Sequence, residues 1–111
     1  MKFLLTTLPT ENAAPPGPEF MAEMQKFIEE ETRSGRLLST GGLLPVSMGG
    51  ARVKSEGGKF MVIDGPFVEA KELIAGYAII EVASKEEAIE ASRRFFAIAG
   101  DGEGEIRQIM G

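Results

Sequence analysis

Along this chain, apolar and polar positions follow two periods, one fitting strands and the other fitting helices. Residues 2–8 form a short apolar run rich in Leu and Thr, stopped by Pro9, which predicts a strand apolar on both faces. A loop follows over residues 9–18, where four prolines withhold the N–H donors that a helix or a ladder needs. Pro18 suits the first turn of a helix, where its missing N–H costs nothing. In that helix Phe20, Met24, Phe27 and Ile28 recur at helical spacing with Met21 beside them, and Glu23, Lys26, Glu29 and Glu30 lie off the stripe. Arg33 and Gly35 are its C-terminal signals.

Residues 36–44 read as a strand interrupted by Gly41 and Gly42, a pair that predicts a bulge curving the sheet, and residues 45–50 as a turn. Two alternating runs, 51–56 and 59–64, flank Gly57-Gly58 and predict a two-residue hairpin. Its register pairs Glu56 with Lys59, Ser55 with Phe60, Val53 with Val62 and Ala51 with Asp64. Asp64 then ends its strand on the face that carries Val53, Phe60 and Val62. Residues 65–72 turn, and 73–82 predict a long strand with Ile74, Ala78, Ile80 and Val82 on one side and Leu73, Tyr77 and Ile79 on the other. Ser84 with Glu87 forms a capping box for a second helix, whose buried face carries Ala88, Ala91, Phe95 and Ala99 until Gly100 ends it. A last short strand lies around 105–110.

Strand, helix, strand, hairpin, strand, helix, strand is an α+β order: the ferredoxin-like βαββαβ plan with an added β-hairpin. A length of 111 residues predicts one domain spanning 1–111. Two helices cover one face of such a sheet, yet Phe3 with Leu5, Leu4 with Leu8, and both sides of 73–82 are apolar, so a homodimer through the sheet is expected.

Charge and composition narrow the chemistry. A net charge of -5 with no basic run disfavours nucleic acid and anionic membrane surfaces, because phosphate binding needs clustered Lys and Arg. The chain has no cysteine and no histidine, which removes thiolate nucleophiles, the usual neutral-pH acid or base, and the commonest transition-metal ligands. No metal and no cofactor are expected; a metal, if present, would be a hard cation held by oxygen. The apolar run before Pro9 is too short for a signal peptide, and no segment reaches the roughly 20 apolar residues of a membrane span, so a cytoplasmic location is expected. Met21, Met24 and Met61 read as core filler, and Arg93 and Arg94 as charges that complement the second helix's dipole.

The stretch Asp64-Gly65-Pro66-Phe67-Val68-Glu69-Ala70-Lys71-Glu72, followed by Leu73-Ile74-Ala75-Gly76-Tyr77, resembles the signature of the YCII-related, Asp-Gly-Pro-Phe proteins. The Met1 to Leu5 opening, the glycine-containing Leu38 to Leu44 segment, the Gly57-Gly58 hairpin and the Ser84 helix match as well, so the resemblance covers nearly the whole chain. It implies a homodimeric α/β barrel, mostly bacterial, of unassigned biochemical function, in some cases encoded or fused beside extracytoplasmic-function sigma factors. Some relatives are thought to use a histidine–aspartate pair; this chain has no histidine, and Asp64 keeps only the carboxylate half.

The candidate site is Asp64 and the loop after it, with Gly42, Phe67, Lys71 and Tyr77. Asp64 is either a turn former, with Phe67 plugging back toward the core, or a cleft carboxylate acting as general base or ligand acceptor. Lys71 either belongs to a solvated surface or neutralises an anionic ligand and keeps Asp64 ionised. Gly42 offers backbone N–H groups to an anion or curves the strand, and Tyr77 donates to a ligand or packs. The leading functional expectation is a small-molecule-binding homodimer with a regulatory role. The alternatives are a cofactor-independent enzyme using Asp64 as base, and an interaction module that works with a sigma factor and needs an apolar patch outside the dimer interface.

Overall fold

The computed structural model describes residues 1–9, 17–63 and 74–111. In chain order these form β1 (Lys2–Thr7), α1 (Pro18–Arg33), β2 (Leu37–Gly42), β3 (Arg52–Glu56), β4 (Lys59–Ile63), β5 (Gly76–Glu81), α2 (Lys85–Ala99) and β6 (Gly104–Gln108). Four strands make an antiparallel sheet in the order β2-β5-β1-β6, the ferredoxin-like arrangement expected. The two most apolar strands, β1 and β5, take the centre, paired from Lys2↔Glu81 to Thr7↔Gly76. Side chains alternate across a strand, so Phe3 and Leu5 share a face with their partners Ile80 and Ala78. That face meets the helices: Phe3, Ile80 and Val82 are buried together with Ala88 and Ala91 of α2, and Leu5, Leu37, Ala78 and Ile106 pack at the edge of this cluster.

Both helices start and stop where their sequences predict. The Ser84 hydroxyl accepts the Glu87 N–H at 3.2 Å, and the Glu87 carboxylate accepts the Ala83 N–H at 2.8 Å, one residue before the cap. Pro18 opens α1 after Gly17, and beyond Arg33 the Ser34 and Gly35 N–H groups take up the Glu30 and Thr32 carbonyls.

Two features differ from the sequence expectation for a structural reason. The long strand begins at Gly76 rather than at residue 73, because its neighbours end there: Gly76 pairs with Thr7 on one side and Gly42 on the other. Leu73 lies outside the described residues. The register irregularity of β2 falls between Leu37 and Ser39, not at Gly41-Gly42. Leu38 is the extra residue; looping it out keeps Leu37 opposite Ile80 and Thr40 opposite Ala78, so the strand remains in phase with the core.

The hairpin has the expected register, Glu56↔Lys59 through Arg52↔Ile63, on a turn whose glycines both sit at positive φ (58° and 81°). Its strands form a separate two-stranded sheet, and every residue in them is exposed, including Val53 and Val62 and, at 68%, Phe60. Stability of the domain therefore rests on the four-stranded sheet and α2. Phe3→Ala, at a side chain only 3% exposed, is expected to lower the unfolding free energy by about 3–5 kcal/mol. Ile89→Ser, on the exposed flank of α2, is expected to change it by less than about 0.5 kcal/mol. Urea unfolding of the two variants checks the contrast, and equal losses would contradict this placement of the core.

Candidate functional site

The apolar stripe of α1 points at the sheet without filling the space before it. Between the helix layer and the sheet lies a cavity of about 610 Å³. Leu5, Leu37, Ala78, Ile80 and Ile106 floor it from the strands; Phe20, Met24, Phe27 and Ile28 wall it from α1, and Ala91, Phe95 and Phe96 from α2. The cause is an asymmetry between the helices. Alanines at 88 and 91 let α2 settle on Phe3 and Ile80, whereas the bulky α1 side chains stay only partly buried. Among the described residues no large side chain is fully buried, so the volume that a filled core would occupy stands open.

Few polar groups face this space. Thr6, Thr7, Thr40, Ser92 and Glu105 line it, and the Thr40 hydroxyl is already engaged, donating to the Tyr77 carbonyl at 2.9 Å. Glu31 is the strongest of them. At 6% exposure it is the one buried charged residue among those described. Its Oε2 accepts from Arg36 Nε at 2.7 Å; its Oε1 accepts from Arg36 Nη2 at 3.2 Å and from Arg94 Nη1 at 2.5 Å. Arg94 also lies over the Phe27 ring, 5.8 Å from its centroid. The hydrogen bond from Arg36, aided by Arg94, holds the Glu31 carboxyl below the usual carboxylate range despite the opposing effect of burial. Arg36 is raised in turn by the same bond. Glu31 is therefore an ionised acceptor, its charge balanced from behind by two guanidiniums that do not line the cavity.

Of the residues singled out from sequence, Gly42 and Tyr77 both border this cavity. The Tyr77 side chain, next to inward-facing Ala78, lies on the opposite face of the sheet, over Gly41. A Cβ at Gly41 would sit 3.1 Å from Tyr77 Cε1, and the Tyr77 hydroxyl lies 3.3 Å from Ser39 Oγ. Tyr77 thus packs on a glycine whose missing side chain makes room for it. Asp64, Phe67 and Lys71 lie outside the described residues. Arg94, expected to serve the helix dipole, is instead spent on Glu31, and Arg93 pairs with Glu90 at 3.5 Å on the surface. Met24 lines the cavity, but Met21 and Met61 are exposed, so only one of the three methionines serves the interior.

Sequence reading passed over Glu31, although a signal was present. The stripe at 20, 24, 27 and 28 calls for its next apolar residue at 31, and the chain puts a carboxylate there. A charge at a core-facing position needs a partner, and Arg36 and Arg94 supply two. Among the described residues no group of three or more His, Cys, Asp or Glu is placed to hold a metal ion, and no helix is long and apolar enough to cross a membrane.

Comparison with known proteins adds a family. The YCII-related domain matches residues 1–111. An uncharacterized protein from Rhizobium meliloti (strain 1021) is 32% identical over 75 residues, covering 68% of this chain and 56% of that protein. The match therefore takes in little more than half of that relative's length.

The Glu31 cluster has a defined pH dependence. A carboxyl depressed in the folded state contributes stability that is fully present above its unfolded value, about 4.3, and is lost as pH falls through the lower folded value. Glu31→Gln is expected to cost about 1–3 kcal/mol at pH 7, where it strips two guanidiniums of a charged acceptor, and progressively less below pH 4. Denaturant unfolding of both proteins at neutral and acid pH checks this; a difference independent of pH would contradict it.

Proposed function

We propose that this chain, which belongs to the YCII-related family, is a small-molecule-binding homodimer whose ligand occupies the space between helices and sheet, with a regulatory role. One observation carries the reading: an open, largely apolar volume of about 610 Å³ stands where the core of a two-layer domain should be. That size falls within the roughly 300–1,000 Å³ of small-molecule sites, and the lining matches their usual make-up, apolar walls with a few placed polar groups. An apolar ligand would restore the packing that the α1 stripe lacks, and so would stabilise the fold by mass action. The reading that makes the chain an enzyme depends on Asp64, outside the described residues, and nothing among the described residues favours it.

The homodimer is supported by the face of the sheet turned away from the helices. Leu4 and Ile79 are direct partners there, Thr6 and Tyr77 lie beside them, and Lys2, Glu81, Glu105 and Arg107 rim the patch. An apolar strip with a charged rim is the composition of an interface rather than of a solvated surface. A second reading, a protein-interaction role, draws on the hairpin: exposed Val53, Phe60 and Val62 form an apolar patch separate from that face.

Ala78→Phe places a ring in the middle of the cavity floor. It is expected to leave the melting temperature unchanged or higher and to weaken binding of a naphthalene-sized probe at least about tenfold, with Met24→Trp as an independent filling variant. Calorimetric titration reads the effect, and undiminished binding in both variants would overturn the cavity as the site. Light scattering on a sizing column is expected to give a dimer mass at micromolar concentration that Ile79→Lys converts to a monomer. A monomeric parent would contradict the dimer.

A further inference from the structure

Resting on the reading of the cavity as a ligand site, we infer that it selects an uncharged aromatic molecule bearing a hydroxyl group, which donates to Glu31 and exchanges a hydrogen bond with Ser92. Three features of the lining lead there. The first is shape: four phenylalanines, Phe20, Phe27, Phe95 and Phe96, border the space, and Phe95 and Phe96 stand edge to face with centroids 5.2 Å apart. Ring edges and faces presented together favour a flat aromatic guest over a flexible chain.

The second is hydrogen-bonding capacity. Glu31 Oε1 accepts two bonds, but Oε2 accepts only the one from Arg36 Nε, which leaves it room for another donor. An ionised carboxylate cannot donate, so the ligand must. Ser92 supplies the complementary group. A serine inside a helix commonly donates to the carbonyl four residues back, yet this hydroxyl has no hydrogen-bond partner among the described residues while it lines the cavity. A hydroxyl both accepts and donates, and so matches the two groups in kind.

The third is charge. A ligand anion at this wall would meet the Glu31 carboxylate before the guanidiniums behind it. A ligand cation would join a cluster in which two guanidiniums already outnumber one carboxylate. Beside Glu31 a neutral donor meets neither opposition; Glu105, the other carboxylate of the lining, lies on β6 at the edge of the sheet.

Three probes on one ring frame separate the outcomes: naphthalene, 2-naphthol and 2-naphthoate, titrated against the full chain by isothermal calorimetry. The expected order places 2-naphthol about tenfold or more ahead of naphthalene, one net hydrogen bond to a charged acceptor, with 2-naphthoate no tighter than naphthalene. Ser92→Ala, a change to a better helix former, is expected to shrink the naphthol-to-naphthalene ratio without altering the affinity for naphthalene; Ser92→Thr is expected to keep it. Equal affinity for naphthol and naphthalene, a preference for the naphthoate, or an unchanged ratio in Ser92→Ala would overturn the hydroxyl-selective site while leaving an apolar one. Failure of all three probes to bind would overturn the cavity reading, and this inference with it.

Discussion

Glu31 cannot move without leaving two guanidiniums unpaired, and the arrangement of the helices follows from that constraint. It sits near the end of α1, takes Arg36 from the approach to β2, and takes Arg94 from α2. One carboxylate thus ties α1 to α2 and to the approach to β2. Removing a buried charge's partners is among the more costly single changes a domain can suffer, so the tie is hard to slip. With α1 fixed there, its stripe from Phe20 to Ile28 must face the sheet.

The stripe faces the sheet but does not reach it, and the contrast with α2 explains why. Alanines at 88 and 91 bring α2 down onto Phe3 and Ile80, and the buried core is this small cluster. On the α1 side, long side chains stand over small residues of the floor, Ala78 and the glycines at the strand ends. The result is a domain firm at one end of the sandwich and open at the other, near Thr7, Gly42 and Gly76. Domains of this size retain a small surplus of stability, so leaving volume unfilled is a cost that a bound molecule would offset.

Local chemistry made much of this legible from sequence. The capping box at Ser84, the diglycine turn at 57–58 and the apolar run of β1 each have a short-range cause, and each stands where the sequence predicts. What was hidden depends on distances between elements. The bulge at Leu38 is set by matching β2 to Ile80 and Ala78 on another strand, not by the glycines that advertised it. Glu31 read as one more charge in an acidic helix, because its two partners lie five and sixty-three residues away. The cavity has no sequence signature, since the same apolar stripe would serve a filled core. Of the sequence-derived candidate site, Gly42 and Tyr77 border the cavity, and Tyr77 does so as a packing residue on Gly41.

An apolar probe could also find the exposed hairpin or the open face of the sheet, so location is the decisive observable. Methyl-resolved NMR with naphthalene distinguishes the three surfaces directly. Intermolecular contacts and shifts at the methyls of Leu5, Ile28, Leu37, Ile80 and Ile106, with Val53, Val62, Leu4 and Ile79 unmoved, are the result predicted for a ligand held between helices and sheet. Contacts confined to the hairpin valines or to Leu4 and Ile79 would contradict it.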